Sequence, residues 1–397
     1  MGPSARFRRN GMTRIIQALF IAGCSGPSSE TANSPADGPV AADASPGDAQ
    51  QPQPDGRPPD ARLRFDARTY VDAPPPDPDP APMTLALRTI ELASNDLVYD
   101  ALRGVLYASV PSSAGSSGNS IATIDPRSGL VVDSLMVGGE PRPLAISDDF
   151  STLYVGLNSN NSVRRLDLAT RNLEEPITFT PDPIEGATFA VKLAVMPGTP
   201  HTFVAVLSSQ AFFDFAGAVI YDERQPRPLK WGDPTGGFAI TFGEPGMLYA
   251  YDGQDTSFQF FELFVDPDGI RVGRTISNLF TGFGVSITFD HGQIFSSSGR
   301  VAIADSLALA GTYGAKGPVA IDPTGTIVSF LAATTLSASS PIALKRFQRD
   351  TFLPIDQLNL PTDVDASMGI RGLVQWSGDG LAFIAGSRTY LIDLKPR

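Results

Sequence analysis

The feature that most constrains this chain is a unit of about 45 residues that recurs seven times between residues 83 and 397. Each copy opens on four residues of extended, mostly apolar character. The starts are Leu97-Val98-Tyr99-Asp100, Leu144-Ala145-Ile146-Ser147, Leu193-Ala194-Val195-Met196 and Phe238-Ala239-Ile240-Thr241. The series continues with Val285-Ser286-Ile287-Thr288, Val319-Ala320-Ile321-Asp322 and Leu373-Val374-Gln375-Trp376. Intervals between starts are 47, 49, 45, 47, 34 and 54 residues. Second strands follow at a short turn: Val105 to Ala108, Thr152 to Val155, Thr202 to Ala205, Met247 to Ala250 and Leu381 to Ile384. Third strands run into Asp-bearing turns, as in Asp125-Pro126-Arg127-Ser128-Gly129, Asp167 to Asn172 and Asp266-Pro267-Asp268-Gly269. There Asp bonds its own backbone, and Gly or Asn accommodates positive φ.

Four short strands per 40–50 residues, repeated in register, describe a β-propeller. A β-sandwich would not keep this period, and a β-helix repeat would be about half as long. The expected fold is therefore all-β: a seven-bladed β-propeller of four-stranded antiparallel blades. The last unit stops after its third strand, Thr389 to Leu394, and the missing fourth is available as Leu85 to Leu92. Pairing these ends closes the ring and removes an exposed edge between the first and last blades.

Composition narrows the chemistry. The chain has 38 Gly and 35 Pro, which punctuate short elements and disfavour long helices. Its single Cys excludes an internal disulfide, a Cys-based zinc site and an iron–sulfur cluster, and two His exclude a multi-His metal centre. A net charge of -12 argues against nucleic acid, which needs a basic face. No GxSxG, Walker A, GxGxxG or HExxH run is present.

Residues before 83 read differently. Arg6, Arg8, Arg9 and Arg14 precede a short apolar run from Ile15 to Gly23, too short to span a bilayer and suited to a secretory signal. A start at Met12 would leave Arg14 alone in that basic segment. The run ends Ile21-Ala22-Gly23-Cys24, which resembles the bacterial lipobox. The resemblance implies a signal peptide over 1–23 and a lipidated Cys24. It also implies export to the bacterial envelope with a lipid anchor in a membrane. Ser25, rather than Asp, after the cysteine favours the outer membrane. Residues 24–82 then form a tether: from Ser25 to Pro82 about one residue in four is Pro, among Ala, Asp, Gly, Ser and Gln. Such a segment buries too little apolar surface to offset its ordering entropy and is expected to be disordered, spanning roughly 40 Å as a coil. Its Asp residues lack the Gly-turned loop of a calcium site. With +4 on the signal and -6 on the tether, residues 83–397 carry about -10.

Within the ring, Ser147 to Val155 (S-D-D-x-x-x-L-Y-V) and Asn161 to Asp167 (N-S-V-x-x-L-D) resemble the YVTN-type propellers of bacterial surface and periplasmic proteins. The likeness covers units one and two well and units three to six loosely; the WD40 Trp-Asp and Gly-His marks are absent. YVTN-type and neighbouring propellers include lactonases, quinoproteins and interaction platforms, so fold alone decides little. In a propeller the loops joining second to third strands share one face with the blade-to-blade connections. His201 and His291 fall in first-to-second-strand turns on the opposite face. The candidate ligand or partner patch is Phe212, Phe213, Asp214 and Phe215 in unit three, with Tyr251, Asp252 and Asp255 in unit four. Alternatively, these Phe residues pack between blades. The favoured function is a non-catalytic binding or scaffolding module, without cofactor or metal, for a protein or surface ligand. The alternative is a hydrolase or lactonase, with or without calcium, using Asp and Arg at the channel mouth. A structural spacer is the third reading. Cys24→Ala is expected to abolish fatty-acid labelling and release a soluble precursor; unchanged labelling would remove the lipoprotein reading.

Overall fold

A computed structural model describes residues 83–183, 186–211, 214–232, 237–333, 341–365 and 369–396. The expected signal peptide (1–23), lipobox with Cys24 and tether (24–82) fall outside them, as do Phe212 and Phe213. The described chain is a seven-bladed β-propeller of seven four-stranded antiparallel sheets. First strands run Asp96–Asp100, Pro141–Ile146, Thr188–Val195, Ala239–Phe242, Ile287–Asp290, Val319–Ile321 and Ile370–Ser377. They lie against one another in succession from blade seven through blade five, and from blade six to blade seven.

The strands differ in pattern because they differ in depth. Thr152–Leu157, Thr202–Ser209 and Gly380–Ala385 are second strands buried at every position, because neighbouring blades cover both faces. They therefore read as continuous small and apolar runs rather than as an alternation. Outer strands meet solvent and are weakly marked. In blades two and three they shrink to Ile177–Thr178 and Gln225–Pro226.

Seven apolar clusters fill the structure, and each joins two adjacent blades. Between blades two and three, Tyr154 lies 4.5 Å from Phe203, which stacks on Tyr221 at 5.1 Å. The cores thus lie between blades, not within them. At about 1.5–3 kcal/mol for a fully buried large apolar side chain, each interface contributes more than any single blade can supply.

The ring closes as the chain ends predict, with bounds displaced by two residues. Met83–Ile90 pairs antiparallel with Arg388–Pro396, in the register Leu85 opposite Leu394 and Ile90 opposite Thr389. Behind this ladder, buried Ser94 and Thr389 share a hydroxyl bond of 3.0 Å, and Thr389 also donates to the Leu92 carbonyl at 3.2 Å.

Two local expectations are corrected. The fifth blade's first strand begins at Ile287, and Val285 packs into the blade-four/blade-five core ahead of it. In the Asp167 turn the positive φ falls on Arg171 (61°), not on Asn172. Asp167 there accepts the Ala169 and Thr170 amides at 2.9 and 2.8 Å and leaves the left-handed position one residue earlier. The Asp125 and Asp266 turns follow the expected pattern, with Gly129 and Gly269 at positive φ.

Deleting residues 1–90 removes the closing strand and its buried Ile90 while leaving every other described strand intact in sequence. Losing several kcal/mol in a domain of this size is expected to lower the melting temperature by about 10 °C in calorimetry. An unchanged transition would show that the strand adds nothing to closure.

Candidate functional site

The upper face carries the second-to-third-strand loops and the blade-to-blade connections. Across blades two to four it holds an open groove of about 740 Å³. Phe189, Val191 and Phe238 form its apolar floor, and Asn158, Gln210 and Gln254 bring amide groups to its walls. Gln210 is fixed by its Nε2, which donates to the Asn158 carbonyl at 3.2 Å and the Asn161 Oδ1 at 2.6 Å. A smaller cavity of about 310 Å³ at the inner strands shares Arg142, Asn158, Phe189 and Val191 with the groove and adds Asp96, Lys192 and Arg371. The two form one depression running from the rim to the channel mouth.

Local backbone irregularity places the charges there. Three first strands break register at their upper ends: between Pro141 and Leu144, between Ala190 and Lys192, and between Arg371 and Val374. A bulge turns a side chain out of the sheet's alternation and re-aims it. Arg142, Lys192 and Arg371 lie in or beside these breaks, and all three are exposed. In blade seven Gly372 permits the bend, at φ 60°, and its α-carbon faces Asp96 and Leu97 of blade one.

Asp96 opens blade one's first strand, and it is half-buried at the centre of this arc. Its Oδ1 accepts the Leu97 amide at 2.9 Å and its Oδ2 accepts the Leu144 amide at 3.0 Å, which bridges blades one and two. Burial pushes its carboxyl above the ordinary value, against the downward pull of Lys192, the two amides and Arg371. The carboxylate is thus a structural acceptor, with both oxygens engaged.

The sequence-derived patch assembles differently. Tyr251 is 1% exposed: its hydroxyl donates to the Gly282 carbonyl at 2.8 Å, and its ring meets Phe280 edge-on. Asp252 is fully buried beside it and accepts the Gln254 amide at 2.8 Å. Asp255 is half-buried in its own turn, where bonds from the Ser257 hydroxyl and amide hold its carboxyl below the ordinary value. Phe215 packs edge-on against Trp231 and Phe238 at 5.3 and 5.6 Å, so its ring extends the core between blades three and four. Of the described members only Asp214 is exposed. Phe238 is the element that connects this aromatic group with the groove. His201 and His291 sit in first-to-second-strand turns on the lower face, as the sequence implies, with His201 Nδ1 2.6 Å from Glu223.

Sequence reasoning missed Arg142, Lys192 and Arg371. The single-residue shifts that aim them leave no mark in composition, and the alternation in these strands is broken where they lie.

No protein-family model matches the sequence, and no curated protein matches it. Solved structures do. The β-propeller domain of Myceliophteria thermophila Cps50 (Swd1) aligns with a TM-score of 0.57 at 14% identity, over 77% of this chain and 99% of that one. The likeness is one of fold. The RRP9 WD40 repeats align at 0.54 and 14% identity, over 80% of this chain and 99% of theirs, and U3-55K at 0.54 and 13%, over 78% and 98%.

Asp96 ionises less readily in the fold than in the unfolded chain. The stability it contributes is therefore fully present below the ordinary carboxylate value and is lost as pH rises through its raised folded value. The difference in unfolding free energy between wild type and Asp96→Asn is expected to shrink from about pH 3 to about pH 7 in urea titrations. A difference constant with pH would return the carboxyl to its ordinary value.

Proposed function

We propose that this protein is an exported, lipid-anchored scaffold whose propeller binds a polypeptide in the upper-face groove. The observation that carries the reading is the groove itself. It is open, set on a rigid ring, and combines apolar residues with side-chain amides, of which Gln210's is held by Asn158 and Asn161, within the volume range usual for ligand sites. The fold it shares with WD40-repeat domains supports an interaction role by analogy of architecture. The YVTN-like runs in units one and two and the lipobox at Cys24 support an envelope setting.

Ile90 leads into an upper-face connection, so Met83, at the far end of the closing strand, lies at the lower face, opposite the groove. A hydrolase reading is not favoured. The carboxylate at the channel mouth spends both oxygens on amides, and no group of three or more His, Cys, Asp or Glu suited to a metal occurs among the described residues.

A photo-crosslinking residue placed at Gln254, on the groove wall, is expected to yield a discrete protein adduct in intact cells. The same residue at Arg271, on blade four's outer strand, is expected to yield none. No adduct at Gln254, or equal adducts at both, would count against the groove as the binding surface.

A further inference from the structure

The described arginines divide sharply. Thirteen of sixteen bond through the guanidinium to a carboxylate or a backbone carbonyl. Many of these bonds cross between blades. Arg88 donates to the Pro126 and Arg127 carbonyls, Arg227 to Asp266, Arg274 to Asp305, and Arg349 to the Asp290 carboxylate and carbonyl. The other three are Arg127, at an exposed turn, and Arg142 and Arg371 at the channel mouth. Among the described residues neither of the latter two, nor Lys192 beside them, has a salt-bridge partner within 4 Å.

We infer that the channel mouth is a receptor for one carboxylate of an acidic peptide, with Arg142, Lys192 and Arg371 as its cationic wall and the adjoining groove holding the flanking residues. The inference rests on the groove being a peptide-binding surface and adds the chemistry of the peptide. Three cations from blades two, three and seven converge on one concavity, each at or beside a bulge of its inner strand. A concave wall concentrates their field on an entering anion. The acids lining the same depression are Asp96, held by the Leu97 and Leu144 amides, and Glu140, whose Oε1 accepts the Ser112 hydroxyl at 2.5 Å. Both of these carboxyl groups are thus already engaged by hydrogen-bond donors, and the three cations outnumber them. Guanidinium groups also match a carboxylate in a forked, two-bond geometry. Beside the cations, Phe189, Val191 and Phe238 offer apolar contact, so the preferred peptide places an apolar residue next to its Asp or Glu.

The test is selection from a random peptide-display library against the purified full chain. The expected consensus is Asp or Glu at a fixed position beside an apolar residue. For a synthetic peptide of that consensus, Glu→Gln is expected to weaken binding about tenfold, and raised salt to weaken it further. The Arg142→Gln/Arg371→Gln double variant is expected to lose the same factor for the Glu peptide and to bind the Gln peptide unchanged. Both substitutions lie on exposed side chains, and an unaltered melting temperature checks the fold. Phosphoserine in place of the glutamate is expected to bind no tighter, and tighter binding would overturn the assignment to a carboxylate. A consensus without an acid would overturn this inference and leave the groove's binding role standing. Failure to select any peptide would overturn both.

Discussion

A four-stranded blade has two apolar faces and covers neither by itself. That constraint governs the whole ring: each blade is stable only between two neighbours, and a row of blades is satisfied at both ends only if it closes. The seven inter-blade clusters are therefore one continuous requirement rather than seven separate cores. Closure by a strand from the opposite end of the chain follows from it, because a blade built wholly from one terminus would leave the last join held by side chains alone. Here the join has a backbone ladder of eight residue pairs as well as a core.

The arginines show how an acidic ring uses few cations. Most are committed to the seams, where a guanidinium reaches a neighbouring turn and binds its carbonyl or carboxylate. Arg349 also lies 5.1 Å over the Phe295 ring, so one side chain joins two blades by charge, hydrogen bond and aromatic contact. Against that background, cations left without partners at a concave mouth have a different role from the rest. The distinction comes from bonding and not from residue type, since the sequence spells both kinds alike.

The repeat was legible because buried second strands must be apolar on both sides and because hairpin turns must carry Asp and Gly. Leu153-Tyr154-Val155 and Asp125 to Gly129 announce themselves for these reasons. The outer strands were not legible. Ile177–Thr178 and Gln225–Pro226 are two residues each, and solvent imposes no pattern on them. The site was harder still. Aromatic residues such as Tyr251 and Phe215 look alike in sequence whether they face a ligand or a neighbouring blade, and here both pack inward. Arg142, Lys192 and Arg371 gain their common address only from three register breaks and from the ring that brings blades seven, two and three together.

The closing strand has a mechanical consequence. Met83 stands opposite Pro396, and the partner strand is held in its blade by Gly380–Ala385 on the other side. A pull on Met83 directed along the strand axis, against a load held on the upper face, acts lengthwise on the ladder, so its rungs share that load in shear instead of opening in sequence. The fastening that completes the ring is also the part of the molecule that would take the strain of a tug from outside.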